Sequence, residues 1–117
     1  FLGICVVMQV LFSESFEFGR TNGLNWIKGK VVNLIEPNIG WAEVTVIKKN
    51  KIIKKDLNSK EFYFLHQFFI KKHKNEVALL KQNISAIINK DNIYGTQFHP
   101  ENSHKQGIEI LKNFINL

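Results

Sequence analysis

The sequence predicts an α/β domain organised around a mixed sheet, and three observations carry that reading. A short apolar run, FLGIC, closes on a glycine-containing turn and leads into VVMQVLFSES, which can start a helix directly afterwards. A long central stretch is rich in β-branched and aromatic residues and is broken at intervals by Asn, Asp and Gly. The last segment, SHKQGIEILKNFINL, has the spacing of one amphipathic helix.

The elements follow in chain order. WIKGKVVNLI reads as a strand with Gly29 near its start, and WAEVTVI as a second strand, rich in strand formers though out of perfect alternation. The Asn50 region is expected to turn this strand back into KIIKK as a hairpin. EFYFLHQFF is aromatic-rich and strand-like. EVALLK, SAIINK and IYGTQF are three further short strands, separated at Asn75, at Gln82–Asn83 and at Lys90-Asp91-Asn92. In the final helix Ile108, Leu111, Phe114 and Ile115 are expected on the buried face, with Ser103 as N-cap.

At 117 residues with 44% hydrophobic side chains, the chain is read as one domain over 1–117. A covered sheet needs helices on both faces, and only about two helices are legible. A C-terminal part of a larger domain is therefore expected, in keeping with a first residue that is Phe rather than Met. Cys5 stands alone, which excludes an internal disulfide and suits a reducing, cytoplasmic setting. The opening apolar run has no basic leader and is interrupted by Gln9, so it reads as core rather than as an export signal or a membrane span. The net charge of +6 is concentrated in KKNKIIKK (48–55) and KKHK (71–74). These runs read as solvated loop tips; a basic module that binds polyanions is the competing account.

Cys5 sits where the first strand passes into a helix, a junction that pushes one side chain out above the sheet. A helix N-terminus beneath a thiol is expected to lower its pKa and favour the attacking thiolate. A small buried hydrophobe is the other reading of a single Cys in an apolar run. A nucleophilic thiol needs a base, and the base gains from a carboxylate that fixes its tautomer. Of the four histidines, His73 and His104 read as solvated, whereas His99 leaves an apolar strand end in YGTQFHPE with Glu101 two residues on. In an extended chain those two side chains share one side. A strand-end His beside a surface Glu remains the alternative on these residues alone.

Taken together, GIC followed by MQVLF, and YGTQFHPE near the other end, resemble the nucleophile and His-Glu motifs of class I glutamine amidotransferases. Between them GLNWIKGKVV, PNIGWAEV and FYFLHQFF are similar, in order, to the G-L-G-x-I-x-G-x-V, P-x-M-G-W-N and Y-F-V-H-S-Y segments of the glutaminase subunits of imidazole glycerol phosphate synthases. The resemblance implies a three-layer sandwich with a mixed central sheet, incomplete at the N-terminus. It also implies hydrolysis of glutamine to glutamate and ammonia without a cofactor or metal. Cys5 would be the nucleophile, His99 the proton shuttle and Glu101 its orienting carboxylate. Gln9 would contact substrate glutamine, and the segment around His66 and Gln67 would help to hold it through its backbone. Gly40 and Trp41 would face a partner synthase of (β/α)8-barrel type in a heterodimer, with no nucleic acid or membrane involved. Their alternative reading is a turn Gly and an interior Trp.

Three departures stand against the family pattern: Val7 where G-x-C-x-G has its second Gly, Ala42 in place of the Asn after G-W, and Gln67 in place of Ser after the strand His. A β-branched residue at the elbow can push neighbouring backbone apart. The family's upstream Gly-rich loop, which supplies part of the oxyanion hole, lies outside the matched stretch. Two further family roles are thus kept open: a paralogue that feeds ammonia to a sugar-modifying synthetase for surface polysaccharide, and a catalytically impaired subunit that only binds a partner.

Overall fold

The apolar run at the front of the chain divides between a strand and a helix, and the backbone turns at Cys5. The computed structural model describes residues 1–16, 19–70 and 74–117. Strand β1 (Leu2–Ile4) passes through Cys5 into the short helix α1 (Val6–Val10). The helix expected over VVMQVLFSES stops there, and β2 (Phe12–Ser15) replaces its second half. The carbonyls that a longer helix would use are already occupied: Leu24 N–H donates to Val10 O at 2.8 Å and Trp26 N–H to Leu11 O at 2.9 Å. Leu11 and Phe12, consecutive and both fully buried, lock this turn into the core.

Strand β3 (Thr21–Asn22) is brief, and β4 (Ile27–Glu43) joins the two strands expected at WIKGKVVNLI and WAEVTVI into one. It pairs antiparallel with β6 (Glu61–Ile70), and the register shifts between Asn33 and Asn38. Pro37, which has no amide to give a ladder, lies inside that irregular stretch. WAEVTVI divides: its first residues finish β4, while β5 (Thr45–Val46) leaves for the other sheet. The expected hairpin into KIIKK does not form. Ile52 and Ile53 are neighbours and both are buried in the same core cluster, whereas strand neighbours point to opposite faces. Asn50 Oδ1 instead accepts the Ile52 amide at 3.0 Å, and the segment plugs the core as a loop before a 3-10 turn at Lys55–Leu57.

The remaining strands, β7 (Glu76–Leu79), β8 (Ser85–Lys90) and β9 (Ile93–Thr96), lie where expected, as does the last helix, α2 (His104–Ile115). Two mixed sheets result, ordered β1-β9-β8-β7-β5 and β3-β2-β4-β6. Ile87 and Ile88, adjacent on β8, enter different core clusters. One cluster holds Phe62, Phe64, Phe98 and Ile110; the other holds Met8, Leu11, Phe12 and Val31. The helices thus serve different clusters, α2 through Ile110 and α1 through Met8.

The buried face of α2 is not the expected one. Gly107 and Ile110 are inside and Phe114 packs partly against the core, while Ile108 and Ile115 are 45% and 77% exposed. The helix is seated by Gly107, whose missing Cβ would lie 2.0 Å from Pro100 O. The lysines between Lys48 and Lys55 are exposed, as a solvated loop requires; Lys71, Lys72 and His73 fall outside the described residues. Among the described residues no helix is long and apolar enough to cross a membrane.

Candidate active site

Strands β1 and β9 are parallel neighbours with Leu2, Gly3 and Ile4 opposite Tyr94, Gly95 and Thr96. Both chains therefore leave the sheet at the same end, one through Cys5 and the other through Gln97, Phe98 and His99. The Cys5 amide donates to Thr96 O at 2.7 Å across that boundary. Gly3 and Gly95, opposite each other, let α1 settle directly onto the strands. A Cβ at Gly95 would come within 2.5 Å of Met8 Cγ and 2.8 Å of Ile88 Cγ1, and one at Gly3 within 3.1 Å of the Met8 amide nitrogen. At the elbow Cys5 has φ 55° and ψ −115°. An L-residue with a side chain is held in such a conformation only by its surroundings.

The free edge of β6 collects the rest. Gln106 Nε2 donates to Glu61 O at 2.6 Å, the Tyr63 amide donates to Ser103 Oγ at 2.9 Å, and the His99 amide donates to Tyr63 O at 2.9 Å. One step further along, Cys5 Sγ donates to Leu65 O at 3.7 Å. Alternate carbonyls on a strand point to the same edge, roughly 7 Å apart, so the thiol and the His99 backbone dock side by side. His99 Nδ1 is 3.1 Å from Glu101 Oε1. A carboxylate only accepts, so Nδ1 carries the hydrogen and Nε2 keeps a lone pair for a proton. This pairing was expected of an extended chain. It comes instead from the 3-10 turn at Pro100–Asn102, which brings Glu101 back beneath the ring.

Burial raises the Cys5 pKa above the ordinary thiol value. The Val6 amide and the Gln97 side chain pull in the other direction, and the Glu101 charge adds a little to the rise. The expected lowering by the helix terminus is thus outweighed, because α1 is too short and the sulfur too enclosed. Burial thus favours the thiol over the thiolate at Cys5.

Gln9 and His66 meet at one atom. The Phe68 carbonyl accepts from Gln9 Nε2 at 3.0 Å and from His66 Nδ1 at 2.8 Å. His66 Nε2 then accepts from Asn38 Nδ2 at 3.0 Å, so the ring is neutral and satisfied inside the fold. Burial lowers its pKa, the bond to Phe68 O works against that, and a proton on nearby His99 would lower it further. Gln67 is exposed on the outer side of β6. Gly40 lies within β4 opposite Phe64 rather than in a turn. Trp41 is 41% exposed, not interior; it stacks on His104 at 4.8 Å and meets Tyr63 edge-on at 6.0 Å. His104, expected to be freely solvated, is exposed but covered on one face by that stack.

Sequence reasoning missed the backbone carbonyls of Tyr63 and Leu65, which carry no side-chain signal. It also missed Gln97, fully buried within the YGTQFHPE motif, and the second role of Ser103. Ser103 is at the helix start, yet its hydroxyl makes no cap bond and donates to His99 O at 2.6 Å.

The family model for class-I glutamine amidotransferases matches residues 1–117. The chain belongs to this family. It is 43% identical over 129 aligned residues to the imidazole glycerol phosphate synthase subunit HisH of Leptospira interrogans, covering 99% of this chain and 63% of that protein. The subunit of the same name from Methanocaldococcus jannaschii is 37% identical, with 100% of this chain and 63% of the relative covered. The chain thus spans less than two thirds of the length of these curated relatives. The crystal structure of a putative GMP synthase subunit from Thermoplasma acidophilum superposes with TM-score 0.71 at 27% identity, over 98% of this chain and 55% of that one. PurLQS from Thermotoga maritima, at 17% identity and TM-score 0.70, shares the fold over 98% of this chain and 60% of its own. The mixed α/β architecture is therefore that of class I glutamine amidotransferases. Among the described residues no group of three or more His, Cys, Asp or Glu is placed to hold a metal.

Proposed function

We propose that this chain is the catalytic part of a glutaminase subunit of imidazole glycerol phosphate synthase, hydrolysing glutamine and passing ammonia to a partner (β/α)8-barrel synthase for histidine biosynthesis. The observation that carries the chemistry is the docking of Cys5 and His99 on alternate carbonyls of β6, with Glu101 on the far nitrogen of the imidazole. His99 Nε2 takes the thiol proton as sulfur attacks the side-chain amide carbon of glutamine. The C–S bond forms, the amide C–N bond breaks, and the same proton leaves with ammonia. Water, deprotonated by the imidazole, then cleaves the thioester to glutamate and restores the thiol. Glu101 keeps the ring in the required tautomer throughout. The Val6 amide, next after the nucleophile, would supply one donor to the developing oxyanion.

Gln9, whose Nε2 is held by Phe68 O, keeps its side-chain oxygen as an acceptor for substrate glutamine. Gly40 and the half-exposed Trp41 form part of the partner-facing surface. The names of the relatives favour this acceptor of ammonia over a sugar-modifying synthetase. Glutamate release by the parent and by Cys5→Ser tests the reading. The parent is expected to release glutamate and to be inactivated by a glutamine-analogue electrophile, with Cys5→Ser at least about a thousandfold slower while still binding glutamine. Equal turnover by the two proteins would discard Cys5 as nucleophile; a parent that binds the partner but ignores the electrophile would be an impaired subunit.

A further inference from the structure

A fully buried carboxamide stands beside the thiol without a role in the scheme above. Gln97 follows the last residue of β9, and its amide donates to Ala86 O at 2.8 Å, which fixes the backbone from which its side chain departs. Buried carboxamides are costly unless both ends are bonded. Here Oε1 accepts from Gln9 Nε2 at 3.1 Å and Nε2 donates to Cys5 Sγ at 3.7 Å, an ordinary length for a bond to sulfur.

The orientation is set by the partners. The Phe68 carbonyl can only accept, so the end of Gln9 that reaches both it and Gln97 must be the nitrogen. Gln97 must then turn oxygen to Gln9 and nitrogen to the sulfur. We infer that Gln97 is a positioning residue, a buried clamp that holds the nucleophilic sulfur and the substrate-contacting Gln9 at a set separation and presents a hydrogen-bond donor to the thiolate.

The donor strengthens as the sulfur becomes anionic, because hydrogen bonds to charged atoms exceed those to neutral ones. It therefore opposes the burial that disfavours the thiolate, and does so from a fixed frame needing no rearrangement during attack. Glutamate at this position would be the same shape and would still accept from Gln9, but as a carboxylate it has no hydrogen for the sulfur.

The inference rests on the proposed function in taking Cys5 as the nucleophile and Gln9 as a contact of substrate, and its test needs no glutamine. Alkylation of Cys5 by iodoacetamide is followed against pH in the parent, Gln97→Glu and Gln97→Met. Both variants should move the profile to higher pH and slow alkylation at neutral pH by about tenfold, the equivalent of one such hydrogen bond. A folded variant whose profile superposes on the parent's overturns the inference. In the unsubstituted protein the Gln97 side-chain amide resonance should follow the Cys5 titration and lose that dependence in Cys5→Ser; an amide that ignores the thiol overturns it even where neither variant folds. A shifted profile in a parent that does not hydrolyse glutamine sinks the glutaminase reading alone. An unshifted one in an active enzyme sinks the clamp alone.

Discussion

Ser103 accepts the Tyr63 amide at 2.9 Å and gives its own hydrogen to the His99 carbonyl at 2.6 Å. One buried hydroxyl thus ties the edge of β6 to the residue that carries the imidazole, and the His99 amide returns the bond to Tyr63 O. Ser103→Ala would leave the Tyr63 amide and one His99 carbonyl bond unanswered inside the protein. The expected cost is about 2 kcal/mol of stability in denaturant unfolding. Glutamate release should also fall by about tenfold or more, because small displacements of a base are expensive. Ser103→Thr, which keeps the hydroxyl, should recover most of the rate if its methyl is accommodated. A fully active, equally stable alanine variant would remove Ser103 from this role.

His66 makes acid stability a second measurable quantity. Its folded pKa lies below the ordinary 6.5, chiefly through burial. The unfolded chain therefore binds the proton first as pH falls. Stability is full above the unfolded pKa and declines as pH drops through 6.5 toward the lower folded value, beyond which the loss is complete. A protonated ring would also set an N–H against the Asn38 amide hydrogens. His66→Gln should flatten this part of the stability–pH curve in urea titrations. His99→Gln serves as the control, because the His99 charge contributes to the same shift. An unchanged slope in the His66 variant would contradict a neutral buried ring.

Much of the candidate site was legible because its residues stand out as side-chain types at short spacing. Cys5 after Gly3, and His99 with Glu101, announce themselves as residue types. What was not legible lies in backbone and direction. Nothing in EFYFLHQFF says that β6 is an edge strand whose Tyr63 and Leu65 carbonyls face His99 and Cys5. Ser103 has the composition of an N-cap, and only tertiary contacts reveal that its hydroxyl is taken elsewhere. The strands were found from β-branched and aromatic runs. The failures arose where tertiary bonds overrode local pattern. The carbonyls of Val10 and Leu11 were captured by the 24–26 loop, ending α1 early. Ile52 and Ile53 were drawn into the core as a loop. The face of α2 was misread because Gly107, which contributes no hydrophobic signal, is the residue that allows closest approach to Pro100.

Val7 is one of the three departures from the family pattern, and the structure gives it a definite expectation. Its side chain is 45% exposed on the outer side of α1, away from the strands beneath. The close approach of helix to sheet is supplied from below, by Gly3 and Gly95 against Met8. A second glycine at position 7 would therefore relieve no collision. It would instead lower the helical preference of a very short helix, by about 0.5 kcal/mol or less. Val7→Gly should leave glutamate release within about twofold of the parent and reduce stability slightly, as read by paired turnover assays and urea midpoints. A several-fold rise in turnover would show that the branched side chain strains the Cys5 elbow, and that the φ of 55° at Cys5 is relaxed only when position 7 is free of a Cβ.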